Sequence, residues 1–187
     1  MIKFEKVSFE QFIVDMNKNF QYPVGYLKDI YDRIKLPTRA TNGSAGYDFY
    51  IPFDITLTQS SGYKIIPTGI RWVTDRDDVV LFLLPRSGLG FKYKMELVNT
   101  AGVIDSDYQY SDNEGHIMAK VGLKFSCDNP FTANLSLKTG DAFMQGIILP
   151  FIKVDNEDEI ITSRNGGFGS TDTQKENILE QLGILGN

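Results

Sequence analysis

The sequence predicts an all-β chain, a β-sandwich or jelly roll, and three observations carry that expectation. Short apolar runs rich in β-branched and aromatic residues recur through the middle of the chain, at 47–57, 64–66, 69–73, 79–84, 95–98, 142–149 and 152–154. Gly, Pro and Asn punctuate them, and no helical periodicity lies between them, as a βαβ sheet would require. The clearest run is His116 to Phe125. There Ile117, Ala119, Val121, Leu123 and Phe125 alternate with His116, Met118, Lys120, Gly122 and Lys124, the period of two that marks a half-buried strand.

Taken in order, the chain divides into three parts. Residues 1–33 read as an added N-terminal helical extension. Phe9, Phe12, Ile13, Met16 and Phe20 form one apolar face over residues 8–20, and Ser8 with Gln11 has capping-box spacing. Val7 and Phe12 are placed for a hydrophobic staple, Pro23 and Gly25 end the helix, and Leu27, Ile30 and Tyr31 fit a short second one. Residues 34–155 form the β core, with a turn at Thr41-Asn-Gly-Ser44 and a bend or edge at Pro52. Residues 156–187 read as a flexible C-terminal arm. An acidic run leads into the Gly-rich segment Arg164–Thr171, and residues 173–182 have the caps and apolar spacing of a short helix.

Composition narrows the function classes. With 187 residues, 42% hydrophobic and 23% charged, the chain fits one globular domain. No apolar run approaches the ~20 residues that span a bilayer, and the N-terminus lacks the apolar centre of a signal peptide, so no membrane role and a cytoplasmic location are expected. The single Cys127 has no partner for an internal disulfide and no His or Cys neighbour to activate it. The single His116 excludes a multi-histidine metal site and reads as a surface residue beside an acidic loop. A net charge of −5 argues against general nucleic-acid binding, which needs a basic face, but leaves room for a small phosphate-bearing substrate.

Five segments concentrate polar chemistry. Asn99-Thr-Ala-Gly102-Val-Ile104-Asp105-Ser-Asp107-Tyr108 reads as a hairpin tip offering backbone donors and acceptors, followed by a strand end presenting Asp105 and Tyr108. Pro85-Arg86-Ser87-Gly88-Leu89-Gly90 sets a guanidinium, a hydroxyl and Gly-flanked amides at the end of a strand, a donor set suited to anions. Gly140-Asp-Ala-Phe-Met-Gln145-Gly146 adds a carboxamide, and Ala45-Gly46-Tyr47-Asp48 adds a carboxylate. Arg164 to Thr171 brings Phe168 as an aromatic face on a segment that could order over a ligand.

In their order along the chain, from Ala45 through Pro85, Asn99 and Gly140 to Arg164, and in their spacing, the five segments resemble the five motifs of trimeric dUTP pyrophosphatases (dUTPases), over residues 35–172. The resemblance implies a jelly-roll subunit of the β-clip type, a homotrimer with shared sites, and Mg²⁺-dependent hydrolysis of dUTP to dUMP and pyrophosphate. It casts Asp105 as the base that orients a water at the α-phosphorus, a task suited to a carboxylate. Asn99 and the backbone around Gly102 and Ile104 would read the uracil edge, and Tyr108 would pack flat on the deoxyribose. Arg86, Ser87, Gly88 and Gln145 would bind phosphates, and Asp48 would hold a water on Mg²⁺. Phe168 would stack over the base, with Arg164, Gly169, Ser170 and Thr171 gripping the outer phosphates.

The chain departs from the family pattern in three places. Gln109-Tyr110 and an acidic insertion follow Tyr108; Ala142-Phe143-Met144 precedes Gln145 without the usual Arg; and Arg164 lies four residues before Phe168 rather than five. Two other readings were weighed. A dCTP deaminase shares the fold but relies on a catalytic Glu. A regulatory module on the same scaffold would use the 109–115 loop or the Phe-rich N-terminal helix to bind a protein partner.

Overall fold

The structure, a computed structural model, describes residues 1–124, 134–156, 179, 182 and 183. In chain order its elements are β1 (Ile2–Lys6), α1 (Phe9–Asn17), α2 (Val24–Arg33), β2 (Thr38–Arg39), β3 (Tyr47–Tyr50), β4 (Ile55–Thr58), β5 (Lys64–Pro67) and β6 (Ile70–Thr74). There follow β7 (Val79–Pro85), α3 (Ser87–Tyr93), β8 (Met95–Leu97), β9 (Gly102–Ile104), a 3-10 helix (Ser106–Tyr110), β10 (Met118–Leu123), β11 (Asn134–Leu137) and β12 (Ala142–Pro150).

Among the described residues every ladder is antiparallel. The largest sheet has the order β2-β3-β12-β7-β9; a second is β5-β10-β8; β1 pairs with β6 and β11 with β4. The all-β expectation therefore holds, and β10 keeps its predicted alternation, with Ala119, Val121 and Leu123 buried and Lys120 exposed. The run at 152–154 is not a strand. β12 ends at Pro150, and Ile152 is 97% exposed with no ladder partner.

The N-terminal part is not purely helical. Ile2–Lys6 forms β1, in register from Ile2 opposite Thr74 to Lys6 opposite Ile70. α1 starts where its cap predicts, with the Gln11 amide donating to Ser8 Oγ at 3.1 Å. It stops at Asn17, three residues short of Phe20, because Asn17 and Asn19 are poor helix formers. Phe20 instead packs edge-on to Phe53 at 4.9 Å. Phe12, Ile13 and Met16 of α1 and Leu27 and Ile30 of α2 are fully buried in the cluster that holds Phe49, Trp72, Leu81, Val121 and Phe143. At ~1.5–3 kcal/mol per buried large apolar side chain, the two helices are part of the core's stability and not an appendage.

Candidate active site

Three segments converge at one end of the large sheet. Gln145 lies in register with Asp48 on β3 and with Leu84 on β7, and Met144 lies opposite Pro85. The Arg86 amide then donates to Phe143 O at 3.1 Å, so the chain leaves β7 still tied to β12. This carries the Arg86 guanidinium across to β3, with Nε 3.9 Å from Asp48 Oδ1. Arg86 is half exposed while Asp48 retains 16% of its side-chain surface, so the carboxylate anchors the guanidinium and leaves it turned outward. Ser87 and Gly88 open α3 beside it, both exposed. The predicted strand-to-helix junction is thus present, with a fork of N–H donors, a hydroxyl and a carboxamide on one rim. That set complements phosphate oxygens.

The second group departs from its sequence reading. β8 and β9 do not pair as a hairpin; β8 pairs with β10, and β9 pairs with β7 through Leu81–Ile104, Phe82–Val103 and Leu83–Gly102. Two tight turns cause the divergence. Thr100 N donates to Leu97 O at 2.8 Å and Ala101 N to Asn99 O at 2.6 Å, which swings the chain from one sheet into the other. The left-handed residue is Thr100 (φ 65°), not Gly102. Gly102 serves close approach instead, since a Cβ there would sit 3.1 Å from the Leu83 Cβ. Asn99 is exposed, and beneath the turn Asn99, Gly102 and Ile104 line a cavity of ≈ 40 Å³ with Leu83 and Met144. That is room for a water or two and not for a pyrimidine ring.

After Ile104 the chain enters the 3-10 helix rather than continuing as a strand. Asp105 is its N-cap residue, half-buried, with its carbonyl accepting from the Tyr108 amide at 3.2 Å; Asp107 is exposed. Tyr108 corrects the expectation of a ring lying open for a sugar. It is 2% exposed; its hydroxyl donates to His116 O at 3.1 Å and accepts from Asn113 Nδ2 at 2.8 Å. An aromatic ring with a polar tip is buried here because both partners are present to satisfy that tip.

The two groups are not adjacent within one chain. Counting along β7 from the Leu83–Gly102 pair, Arg86 lies three residues one way and the level of Asp105 three residues the other. At ~3.3 Å per residue the separation is roughly 20 Å.

A third group escaped the sequence reading. His116 is fully buried, not at the surface. Its Nε2 accepts from the Gly69 amide at 2.8 Å, which places the ring proton on Nδ1, 2.7 Å from Asp15 Oδ2. Asp15, also fully buried, accepts from Gln11 Nε2 (2.7 Å) and Lys18 Nζ (2.9 Å). Burial alone would raise the Asp15 carboxyl, but the hydrogen bonds it accepts from His116, Gln11 and Lys18 hold it at about 2. The 109–115 loop is only partly open, with Tyr110 75% exposed and Asp112 exposed. Gln109, Ser111, Asn113 and Gly115 are buried, and Glu114 accepts from Ser8 N (2.8 Å) and Ser8 Oγ (2.6 Å) at the start of α1. The available signal was Asp15 itself, a carboxylate sharing a helix face with Phe12 and Met16.

Arg164, Phe168, Gly169, Ser170, Thr171 and Cys127 lie outside the described residues; of the expected terminal helix, Leu179 is helical and buried.

A family model described as dUTPase matches residues 32–173. The chain belongs to the dUTPase family. It is 34% identical over 140 residues to the deoxyuridine 5′-triphosphate nucleotidohydrolase of Lactococcus lactis subsp. lactis (strain IL1403), covering 74% of this chain and 88% of that one. Its fold is similar to that of a dUTPase from Streptococcus mutans, with a TM-score of 0.57 and 26% identity over 82% of this chain and 99% of the other. A dUTPase from phage phi11 of S. aureus, described with a structural Mg(II) ion, has a TM-score of 0.55 at 15% identity, covering 87% and 97%. The family match begins at residue 32, so β1, α1 and nearly all of α2 precede it. Ser8, Gln11 and Asp15 thus belong to a part of this dUTPase that the family pattern does not describe.

Proposed function

We propose that this chain hydrolyses dUTP to dUMP and pyrophosphate, with each site completed by residues from two neighbouring subunits of a homotrimer. The observation that carries this reading is the register of the large sheet. It sets Asp48, Gln145 and Arg86 side by side on one rim and leaves Asp105 roughly 20 Å away on the same chain. A ring of identical subunits brings the rim of one against the Asp105 region of the next. A homotrimer does so with three equivalent sites.

In the assembled site the Arg86 fork, the Ser87 hydroxyl and the Gln145 carboxamide bind non-bridging phosphate oxygens. Asp105 accepts a hydrogen bond from the attacking water and takes its proton as the bond to the α-phosphorus forms and the pyrophosphate oxygen leaves. Asn99 and the Gly102–Ile104 backbone meet the uracil edge at the rim of the turn, and Tyr108 underlies the sugar. Phe168, Arg164, Gly169 and Ser170 close over base and outer phosphates. Among the described residues no cluster of three or more His, Cys, Asp or Glu could hold a metal ion, and the donor set at the rim is the single Asp48 carboxylate. Such a set would suit Mg²⁺, a cation that needs few protein ligands, and Asp48 is the residue that would hold it, through a water. When bound, the ion neutralises charge developing on the phosphates.

Deamination of dCTP is disfavoured by the family match and by Asp105 at the position of the base. The regulatory module is disfavoured by the burial of the α1 apolar face in the core. A cytoplasmic site of action follows from the reaction's place in nucleotide supply. The test is pyrophosphate release from dUTP, with dTTP, dCTP and UTP as controls. Release from dUTP alone is the expected result, and deamination of dCTP without it overturns the reading.

A further inference from the structure

Two segments meet behind the motif that carries Asp105. One is the N-terminal β1-α1-α2 unit, and the other is the acidic loop that follows Tyr108. They are joined at two points. At the first, Glu114 takes the place of the reciprocal carboxylate in the α1 cap, accepting from both the amide and the hydroxyl of Ser8. At the second, His116 Nδ1 donates to Asp15 Oδ2 in a site sealed from solvent. The main chain of His116 then accepts from the Tyr108 hydroxyl, and Asn113 bonds the same hydroxyl. A continuous path therefore runs from α1 through His116 to the residue placed under the deoxyribose.

We propose that Asp15 and His116 are positioning residues for substrate recognition: the buried Asp15–His116 bond fixes the carbonyl that holds the Tyr108 ring, and so sets how tightly the sugar of dUTP is received. The inference rests on the reading of Asp105 and Tyr108 given above.

Three features make the bond a positioning device and not only a core contact. The Gly69 amide donates to Nε2, so both ring nitrogens are committed and the imidazole has one orientation. Gln11 and Lys18 hold the Asp15 carboxylate from α1 and its C-cap, so it is tied to its own helix as well as to His116. Gly115, at φ +71°, presses against Tyr108 O and Gln109 Cα, where a Cβ would lie 2.8 Å from each, so a shift of His116 is transmitted to the Tyr108 backbone as well as to its hydroxyl. A displacement of about 1 Å at such a remove costs up to ~100-fold in the reaction it supports.

The experiment separates positioning from folding. His116→Gln keeps an acceptor for the Gly69 amide and loses the donor to Asp15; His116→Asn keeps the donor and loses the acceptor. Leu27→Ala loosens α2 without touching the path. For each, and for Asp15→Asn, we would measure the melting temperature, KM and kcat for dUTP, and the ratio of kcat/KM for dUTP over UTP. KM and the ratio do not depend on how much of the sample is folded. Asp15→Asn and His116→Gln should raise KM for dUTP by about 3- to 100-fold and lower the dUTP/UTP ratio, with kcat per folded site nearly unchanged. His116→Asn should recover most of the loss. Leu27→Ala should lower the melting temperature and leave KM and the ratio at wild-type values. The proposal is overturned if Asp15→Asn and His116→Gln lower only the melting temperature, or if Leu27→Ala raises KM as they do. Asp105→Asn tests the underlying reading separately: persistent turnover there rejects the site assignment whatever the Asp15 result.

Discussion

If the phosphate rim and Asp105 come from different subunits, two inactive variants should rescue each other. Arg86→Ala removes the guanidinium fork and Asp105→Ala removes the base, and each leaves the other half of the site intact. The register of β7 with β9 keeps the two groups roughly 20 Å apart on one chain, beyond the reach of a single triphosphate's reacting end. When the variants are co-expressed in equal amounts, a site is complete only where the rim comes from an Asp105→Ala subunit and the carboxylate from an Arg86→Ala neighbour. Random assembly makes that about one site in four. Each parent should fall at least ~100-fold, the usual worth of a positioned base for Asp105→Ala and of a charge-stabilising donor for Arg86→Ala. The mixed pool should therefore return about a quarter of wild-type pyrophosphate release at saturating dUTP. A second mixture sharpens the comparison. Wild type co-expressed with the Arg86→Ala/Asp105→Ala double variant should keep about a quarter of full activity if sites are shared and about half if each chain is self-contained. A first mixture no more active than its parents, with a second near one half, refutes the register argument.

Three further outcomes follow from particular contacts. The Asp15 carboxyl is displaced from 3.8 to about 2 and is fully buried, so at ~1.4 kcal/mol per pH unit its ionisation contributes about 2 kcal/mol to folding. Because the folded value is the lower one, that contribution is complete above about pH 4 and is lost as pH falls towards 2. Urea titrations should show the stability gap between wild type and Asp15→Asn closing across this window, and a gap constant from pH 7 to pH 2 would contradict it. Gly115→Ala should destabilise by about 2 kcal/mol or more, since a left-handed position and two backbone atoms 2.8 Å away leave its Cβ no room; an unchanged melting temperature would show that the loop yields. Gly88→Ala should do the opposite. A Cβ there meets nothing within 4 Å and gains helix propensity, so stability should hold or rise by up to ~1 kcal/mol, while KM for dUTP rises if phosphate approaches that backbone.

Local signals were readable in the sequence. Ser8 with Gln11 caps α1, the alternation from Ile117 to Leu123 marks β10, and the Pro85–Gly90 segment turns from strand to helix where expected. What escaped was pairing at a distance. Gly102–Ile104 looked like the return arm of a hairpin because Met95–Leu97 lies just before it, but β9 found its ladder on β7, which precedes it by some 20 residues. Leu83 favours a glycine opposite it, since a Cβ at position 102 would lie 3.1 Å from its own Cβ. His116 escaped for another reason. A lone imidazole between an acidic loop and a strand has the same sequence appearance exposed or buried, and its state depends on Asp15, one hundred and one residues away.

The same dependence explains why the acidic loop looked like a free surface. Glu114 sits at φ 59°, a conformation that costs a non-glycine residue about 1–2 kcal/mol and that an isolated polar loop would relax. It persists because the turn aims the Glu114 carboxylate at the first amide of α1 and at the Ser8 hydroxyl. Hydrogen bonds to a charged group of this kind are worth ~1.5–3 kcal/mol, enough to offset the strain. The helix gains a cap that its own Gln11 does not supply, since the Gln11 carboxamide is turned to Asp15. Alone the loop is strained and the helix keeps only the Ser8 Oγ half of its cap; together both are satisfied. The loop after Tyr108 without the N-terminal unit would lose both the Glu114 and the His116 anchors, and with them the hold on Tyr108. The N-terminal unit and this loop therefore depend on each other and meet behind one residue of the site.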